Sequence, residues 1–213
     1  MIPTEIRTQH APIFYSWPSQ ANVAKYTVDE QNIEWSQTNI RQFLDDILAK
    51  SGTRELYLIA HSMGSRGLAR AVASLIKSKP EYRERIREII LAAPDIDAAV
   101  FKRDIVPEFV SAQLPVTLYA SSKDNALIAS KEVRGYARAG DSGRGLVVVP
   151  GLETIDASEP DTSLLGHSYY GESSVIGDIY RLTQLRKRAS ERDGLKAVTI
   201  AAGRYWKLPA KLP

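Results

Sequence analysis

The chain of 213 residues contains no cysteine and only three histidines. The absence of thiols excludes disulfides, a cysteine nucleophile and thiolate-bound metals. His10, His61 and His167 lack the spacing of metal ligands, and no phosphate-binding glycine loop is present, so we expect neither a metal nor a cofactor. Chemistry that needs a histidine as base has only these three side chains to use.

A strong net charge and a long hydrophobic run are also absent. Lys and Arg number 28 against 25 Asp and Glu, and no basic face with interleaved aromatics is evident, so we do not expect nucleic-acid binding. No run is long enough to span a membrane, and the first residues lack the apolar core of a signal peptide. The composition, 44% hydrophobic and 25% charged, predicts one soluble globular domain over residues 1–213, which we expect in the cytoplasm.

The most informative stretch runs from Glu55 to Val72 and predicts a strand, a sharp turn and a helix. Residues 56–60 are almost continuously apolar, as in a central parallel strand that is covered on both sides. The helical pattern begins just after Ser62, which places this serine at the tip of the turn. A hydroxyl at such a junction is pushed out of the fold, where it can act as a nucleophile.

The neighbours of Ser62 fit this interpretation. Ala60 and Gly64, two residues before and two after it, are small and let the strand and the helix pass closely. The backbone N–H of Met63 would lie at the helix N-terminus, where free amides and the helix dipole stabilise an oxyanion. The pattern therefore predicts serine-nucleophile chemistry.

Other apolar patterns predict the remaining elements. The predicted strands are Ala11–Pro18, Ile89–Ala93, Pro115–Ala120 and Leu146–Val149, with a short strand or hairpin around Gly203 within Val198–Leu208. The first two predicted helices are Asn32–Lys50 and a helix that carries Leu68 to Ile76. A third helical stretch carries Val100 to Phe109, and Asp97 or Asp104 could cap it. A fourth helix runs from Leu127 and is ended by Gly140, and a fifth begins near Ser173 or Ser174. The alternation predicts an α/β fold, a mainly parallel sheet with helices on both faces, and a ligand site beyond the carboxyl ends of the strands.

A serine needs a base that takes its proton, and this base is usually a histidine. His61 is adjacent to Ser62 on a strand, where neighbouring side chains point to opposite faces. His10 precedes the first recognisable strand. By elimination His167, in a loop after the last core strand, is the predicted base.

A carboxylate should hold that histidine in place. Asp124 follows the strand 115–120 within a short turn and is the first candidate. Asp95 and Asp97 follow the preceding strand and remain alternatives, since any of the three could instead cap a helix. The order Ser62, Asp124, His167 matches the order of serine, acid and histidine in α/β-hydrolases.

Four motifs in order resemble those of α/β-hydrolases, and more narrowly of a bacterial α/β-hydrolase family of unknown function. They are Ser16-Trp17-Pro18-Ser19, Ala60-His61-Ser62-Met63-Gly64, the segment Ala92 to Asp97 with Pro94 and Asp95, and Gly166-His167-Ser168-Tyr169-Tyr170. The resemblance covers nearly the whole chain. It implies the α/β-hydrolase fold and a Ser-His-Asp triad, with Trp17, His61, Asp95 and Tyr169 as possible pocket residues.

The chain departs from this family in one respect. The relatives carry, upstream of Ser16–Ser19, a strand ending in His-Gly-Tyr-Asn or similar and then a helix, and that turn supplies the second oxyanion donor. No such segment occurs here. We therefore expect an N-terminally truncated α/β-hydrolase fold. The alternatives are that the strand with Phe14 moves beside the nucleophile strand, or that another chain fills the gap.

The predicted function is that of a serine hydrolase acting on a small-molecule ester, thioester or similar acyl substrate. Two other functions stay open. A hydrolase-fold protein could bind a ligand or partner without turnover, and an acyltransferase would use the same three residues with a different acceptor.

Overall fold

A six-stranded sheet lies at the centre of the part of the chain that the structure describes. In this computed structural model, residues 11–122, 135–143, 145–159 and 175–210 are described. The strands are β1 (Leu56–His61), β2 (Ile86–Ala92), β3 (Val116–Ala120), β4 (Glu153–Asp156), β5 (Lys196–Ile200) and β6 (Gly203–Lys207). Their order is β1-β2-β3-β4-β6-β5. All neighbouring pairs are parallel except β5 and β6, which form an antiparallel hairpin.

The helices of the described residues flank this sheet. They are α1 (Tyr26–Lys50), α2 (Gly64–Ser78), α3 (Ala98–Val100), α4 (Val106–Ser111) and α5 (Val175–Gln184). A π-helical turn, Phe101–Ile105, joins α3 to α4. Pro107 follows it and has no backbone N–H to donate, so the regular helical ladder cannot continue through this point. None of the helices described is long and apolar enough to cross a bilayer.

The two faces of the sheet carry separate apolar clusters. Ile89 and Leu91 of β2 pack with α1, α2 and α4, whereas Ile90 between them packs with Val175 and Leu182 of α5. Successive side chains of a strand point to opposite faces. The structure therefore confirms the predicted α/β architecture with helices on both faces.

The strand–turn–helix prediction around Ser62 is confirmed, with β1 ending at His61 and α2 beginning at Gly64. The strand predicted at 115–120 and the hairpin near Gly203 are also found. These elements carry their signal in contiguous residues. Helix α1 ends at Lys50 as predicted but begins at Tyr26, six residues before the predicted start.

The predicted strand Ala11–Pro18 is wrong, because residues 11–22 form no strand. The segment instead packs on α1. The Tyr15 ring lies 5.0 Å from that of Phe43, measured between centroids, and Asn32 donates to the Pro18 carbonyl oxygen at 2.8 Å. In the described chain no strand lies beside this segment to form a ladder, so β-forming residues alone do not make it a strand.

The predicted strand Leu146–Val149 is also wrong, since the chain forms β4 four residues later, at Glu153–Asp156. Val147 is buried without being in a strand, and its carbonyl oxygen accepts from the Thr154 hydroxyl at 2.7 Å. A short apolar run indicates burial, and a buried loop satisfies it as well as a strand does.

The helix predicted from Leu127 to Gly140 is not found over residues 135–140. Arg138 there forms an isolated β-bridge with Asp97. Residues 123–134, which hold the first part of that helix, lie outside the described residues. The helix predicted from Ser173 or Ser174 is present as α5 from Val175 onward.

Strand β1 is the edge of the sheet in the described part of the chain. The Ile59 side chain is 48% exposed, although its register partner on β2, Ile90, is fully buried. The alternative in which the strand with Phe14 moves beside β1 is therefore excluded, because the segment around Phe14 is not a strand. Among the described strands, the sheet begins at β1.

Charged side chains are buried between the sheet and the segment after α5. Glu88 of β2 accepts from Thr117 at 2.7 Å and pairs with Arg188 at 2.6 Å. Burial raises the pKa of Glu88, and the nearby Arg188 guanidinium opposes this shift. Next to them Asp178 of α5 accepts from the Tyr119 hydroxyl at 2.6 Å, and burial likewise raises the pKa of Asp178.

Candidate active site

Ser62 occupies a strained turn between β1 and α2. Its φ angle is +51°, in the left-handed region that L-residues other than glycine rarely adopt. The side chain is half-buried, and the turn lies at the carboxyl end of β1. A strained serine in a strand-to-helix turn is the geometry of a nucleophile elbow.

Backbone hydrogen bonds hold this turn on three sides. The Ser62 N–H donates to the carbonyl oxygen of Ala92 at 2.9 Å, which extends the β1–β2 ladder by one bond. The carbonyl oxygen of Ser62 accepts from the N–H groups of Ser65 and Asp95, each at 3.1 Å. The turn is therefore fixed to its own helix and to the segment after β2.

Met63 lies at the start of α2 with helical backbone angles, φ −63° and ψ −30°. Its side chain is 8% exposed and belongs to the apolar cluster on the α1 and α2 face. The Met63 N–H precedes the first helical residue, so it is one of the amides that the helix itself leaves without an acceptor. Such an amide next to Ser62 is suited to bind a negatively charged oxygen.

Trp17 lies beside the elbow. Its ring nitrogen, Nε1, is 3.9 Å from the position that a Cβ on Gly64 would occupy. Its half-buried ring packs against the apolar cluster that contains residues of α1, α2 and α4. His61 ends β1 and is exposed. Both residues are adjacent to the Ser62 turn, and their role as pocket residues stays a prediction.

The carboxylate of Asp95 is fully engaged. One oxygen accepts from the Tyr26 hydroxyl, and the other pairs with Arg138 Nε at 3.1 Å. The Asp95 and Arg138 side chains are each 3% exposed. Asp95 therefore lies next to the elbow, and each of its carboxylate oxygens has a partner among the described residues.

Asp97 is engaged in a different way. One oxygen, Oδ1, accepts from the N–H groups of Ala99 and Val100, at 2.8 and 2.9 Å, and so caps α3. This confirms the prediction that Asp97 could cap this helix, whereas Asp104 is paired with Arg103. Asp97 therefore caps α3, and the choice of the acid among Asp124, Asp95 and Asp97 stays a prediction.

Asp124, His167 and Tyr169 lie outside the described residues. Their attachment points are described. Ser122, two residues before Asp124, donates its N–H to the Ser158 hydroxyl at 2.9 Å, and the Ser158 hydroxyl donates to Asp156 at 2.5 Å. The segments after β3 and β4 are therefore joined. Because β1 to β4 are parallel, both segments begin at the same edge of the sheet as Ser62.

A cavity of about 320 Å³ lies between α1, α2 and the segment after β2. Its lining contains three arginines and three acids, namely Arg66, Arg70, Arg138, Glu30, Glu34 and Asp97. Ser62 is not among the residues that line this cavity. Among the described residues, no three His, Asp or Glu side chains are grouped to hold a metal ion.

A comparison with protein families agrees with this geometry. Residues 1–188 match a family described as "Alpha/beta hydrolase of unknown function (DUF900)". The chain belongs to this family. The searches of curated proteins and of solved structures gave no match.

Membership of this α/β-hydrolase family agrees with the parallel sheet and with the strand–turn–helix around Ser62. The match ends at residue 188, so strands β5 and β6 lie beyond it. The family description gives no substrate. Any assignment of chemistry therefore depends on the residues of this chain.

Two residues that contact Asp95 beside the elbow, Tyr26 and Arg138, are not among those that the sequence predicts for the site. Tyr26 is the first residue of α1, and Arg138 lies in a segment that was predicted to end a helix. Their contacts with Asp95 span 69 and 43 positions of the chain. A local pattern carries no signal for such contacts. The one available hint was the motif residue Asp95, a carboxylate that needs a partner if it is buried.

Proposed function

We propose that this chain is a serine hydrolase that acts on esters, thioesters or similar acyl compounds. In this proposal Ser62 is the nucleophile, His167 the base and Asp124 the acid that orients His167. The Met63 N–H stabilises the oxyanion. The substrate is a small molecule, and the reaction needs no metal or cofactor.

The observation that carries the proposal is the backbone of Ser62. A φ of +51° in a serine costs about 1–2 kcal/mol relative to the right-handed conformation. Such strain persists where surrounding contacts enforce it, and it is concentrated at active sites. Membership of an α/β-hydrolase family supports the same interpretation.

The chemistry follows from these roles. Ser62 Oγ forms a bond to the acyl carbon while its proton passes to His167. When the tetrahedral intermediate collapses, the bond to the alcohol or thiol breaks and the leaving group departs with that proton. Water then attacks the acyl-serine by the same route, which releases the acid and restores the Ser62 hydroxyl.

Labelling with a fluorophosphonate tests the proposal, because an activated serine displaces fluoride from the phosphorus and becomes phosphonylated. We expect one adduct, located on Ser62 by peptide mass spectrometry and lost in Ser62→Ala. The matched control is Ser111→Ala, which removes an exposed serine hydroxyl at the end of α4 and should leave labelling intact. A folded wild-type protein without an adduct on Ser62 would contradict the proposal.

The same assay separates two of the candidate acids, Asp124 and Asp97. Asp124→Asn should slow labelling by about a thousandfold or more, because the histidine loses its orienting charge. Asp97→Asn keeps a side chain that caps a helix well and should label at the wild-type rate. The reverse result would move the acid to Asp97.

One observation favours a second function, binding without turnover. In the described residues no strand pairs with the outer edge of β1, and the only oxyanion donor identified beside Ser62 is the Met63 N–H. Loss of one such donor can reduce turnover by about a hundred- to a thousandfold. Ester hydrolysis that disappears in Ser62→Ala would eliminate this second function, and transfer of the acyl group to an added alcohol would indicate an acyltransferase.

A further inference from the structure

Four polar groups of one buried residue, Asp95, contact four different parts of the fold. The carboxylate binds Tyr26 of α1 and Arg138. The backbone N–H of Asp95 donates to the Ser62 carbonyl oxygen at 3.1 Å. Its own carbonyl oxygen accepts from Arg66 Nη2 of α2, also at 3.1 Å.

Arg66 adds a second link to α1. Its Nη1 donates to Glu30 at 2.7 Å, one helical turn after Tyr26, and its side chain is 10% exposed. Arg66 itself lies one turn after Ser62 in α2. Two ion pairs, Asp95 with Arg138 and Glu30 with Arg66, therefore connect the segment that contacts Ser62 to Arg138 and connect α2 to α1.

The residues that follow Arg138 connect the segment after β2 to the segment that carries Asp124. Ala139 and Gly140 donate their N–H groups to the carbonyl oxygens of Ile96 and Pro94, at 2.8 and 2.9 Å. The carbonyl oxygen of Gly140 accepts from the N–H of Ser121 at 2.8 Å. Ser121 follows β3 directly and precedes Asp124 by three residues. A continuous set of contacts thus joins the nucleophile turn to the start of the acid-bearing segment.

The cost of burying charge indicates what the cluster of Asp95, Arg138, Tyr26, Arg66 and Glu30 contributes to the protein. A buried ion pair is costly to desolvate, and well-packed apolar side chains of similar volume often give equal or greater stability. Its hydrogen bonds, however, hold the partners in one geometry, whereas apolar contacts tolerate sliding. Catalysis depends on such geometry, since a displacement of about 1 Å can cost about a hundredfold in rate.

We propose that Asp95 is a positioning residue. Through Tyr26, Arg66 and Arg138 it fixes the Ser62 turn relative to the segment that bears Asp124. This inference rests on the proposed serine chemistry.

The chain offers a closely matched control. Asp45, near the other end of α1, pairs with Lys79 at 2.5 Å and accepts from the Tyr82 hydroxyl at 3.1 Å. It therefore has the same types of partner as Asp95, a cation and a tyrosine hydroxyl. Asp45→Asn removes the same charge as Asp95→Asn at a place remote from Ser62.

The first measurement is the rate of fluorophosphonate labelling as a function of probe concentration. We expect Asp95→Asn to lower the maximal rate about tenfold or more and to change the half-saturating concentration by less than about twofold. Tyr26→Phe keeps the ion pair and should give a smaller loss in the same direction. Asp45→Asn should match the wild type. Equal maximal rates in the wild type, Asp95→Asn and Tyr26→Phe would overturn the positioning role.

The second measurement does not depend on activity. Amide hydrogen exchange of the peptide that contains Ser62 and Ser65 should accelerate in Asp95→Asn and Tyr26→Phe, and should not in Asp45→Asn. If the wild-type protein takes no label, the proposed hydrolase chemistry fails. Exchange then still decides the positioning role, and unchanged exchange in both elbow variants overturns it.

Discussion

Gly140 lies directly against the backbone of Ala93, at the junction between the serine turn and the segment after β3. A Cβ on Gly140 would be 2.4 Å from the Ala93 carbonyl carbon and 2.6 Å from the Pro94 nitrogen. Real Cβ atoms do not approach backbone atoms so closely. At this junction the Gly140 N–H donates to the Pro94 carbonyl oxygen, and the Gly140 carbonyl oxygen accepts from the Ser121 N–H.

Gly140→Ala is therefore expected to destabilise the protein by about 1–3 kcal/mol, because the backbone has to move to accept the methyl group. Urea denaturation measures the change. The matched control is Gly143→Ala, where the nearest atom to the new methyl group is Asp141 Oδ1 at 4.0 Å. Equal stabilities of the two variants would show that the segment at Gly140 shifts freely.

The strain at Ser62 predicts an inverted alanine–glycine preference. Ser62→Gly should be more stable than Ser62→Ala by about 1 kcal/mol, since only glycine adopts a φ of +51° without a Cβ penalty. Both variants lose the Ser62 hydroxyl. The difference between their free energies of unfolding, measured by thermal or urea denaturation, therefore reports the backbone strain at residue 62.

The control for this comparison is Ala73 within α2. There Ala73→Gly should reduce stability by about 1 kcal/mol, the usual preference for alanine in a helix. A Ser62→Gly variant that is less stable than Ser62→Ala would contradict the left-handed backbone at the elbow.

The buried carboxyl of Glu88 predicts a specific pH dependence. Burial raises the pKa of Glu88 in the folded protein above the ordinary value of 4.5. Below pH 4.5 the carboxyl is protonated in both the folded and the unfolded protein, and the folded protein is stabilised in full. As the pH rises through the raised pKa of Glu88, that stabilisation is lost. Glutamine has the same shape without this titration. The free energy of unfolding of Glu88→Gln, relative to wild type, should therefore increase between about pH 4 and about pH 7.

Urea titrations across that pH range check this prediction. Glu81→Gln, which replaces an exposed glutamate in the 3₁₀ turn before β2, is the control without burial. A relative stability of Glu88→Gln that falls with rising pH would mean that the ion pair with Arg188 outweighs the cost of burying Glu88.

The strand–turn–helix around Ser62 could be predicted because its signals lie within a few residues, an apolar run, small flanking residues and a helical repeat. The two wrong strands, at 11–18 and 146–149, have β-forming or apolar residues, but in the described part of the chain no strand pairs with them. Sequence periodicity reports burial, and whether a ladder forms depends on a partner elsewhere in the chain. The early start of α1 was missed for a related reason. Its first turn contains the buried Asp29, which accepts from the Ser19 hydroxyl and the Gln20 N–H instead of contributing an apolar position.

The sequence alone determined the fold class, the order of the four motifs and the position of the strand–turn–helix around Ser62, because each rests on contiguous residues. The tertiary structure decided that β6 lies between β4 and β5, that β1 is the edge strand of the described sheet, and that Asp95 and Asp97 have partners of their own. Those outcomes depend on contacts between residues far apart in the chain, such as Tyr26 with Asp95. Such contacts form only when the whole core packs, so no local pattern of residues encodes them.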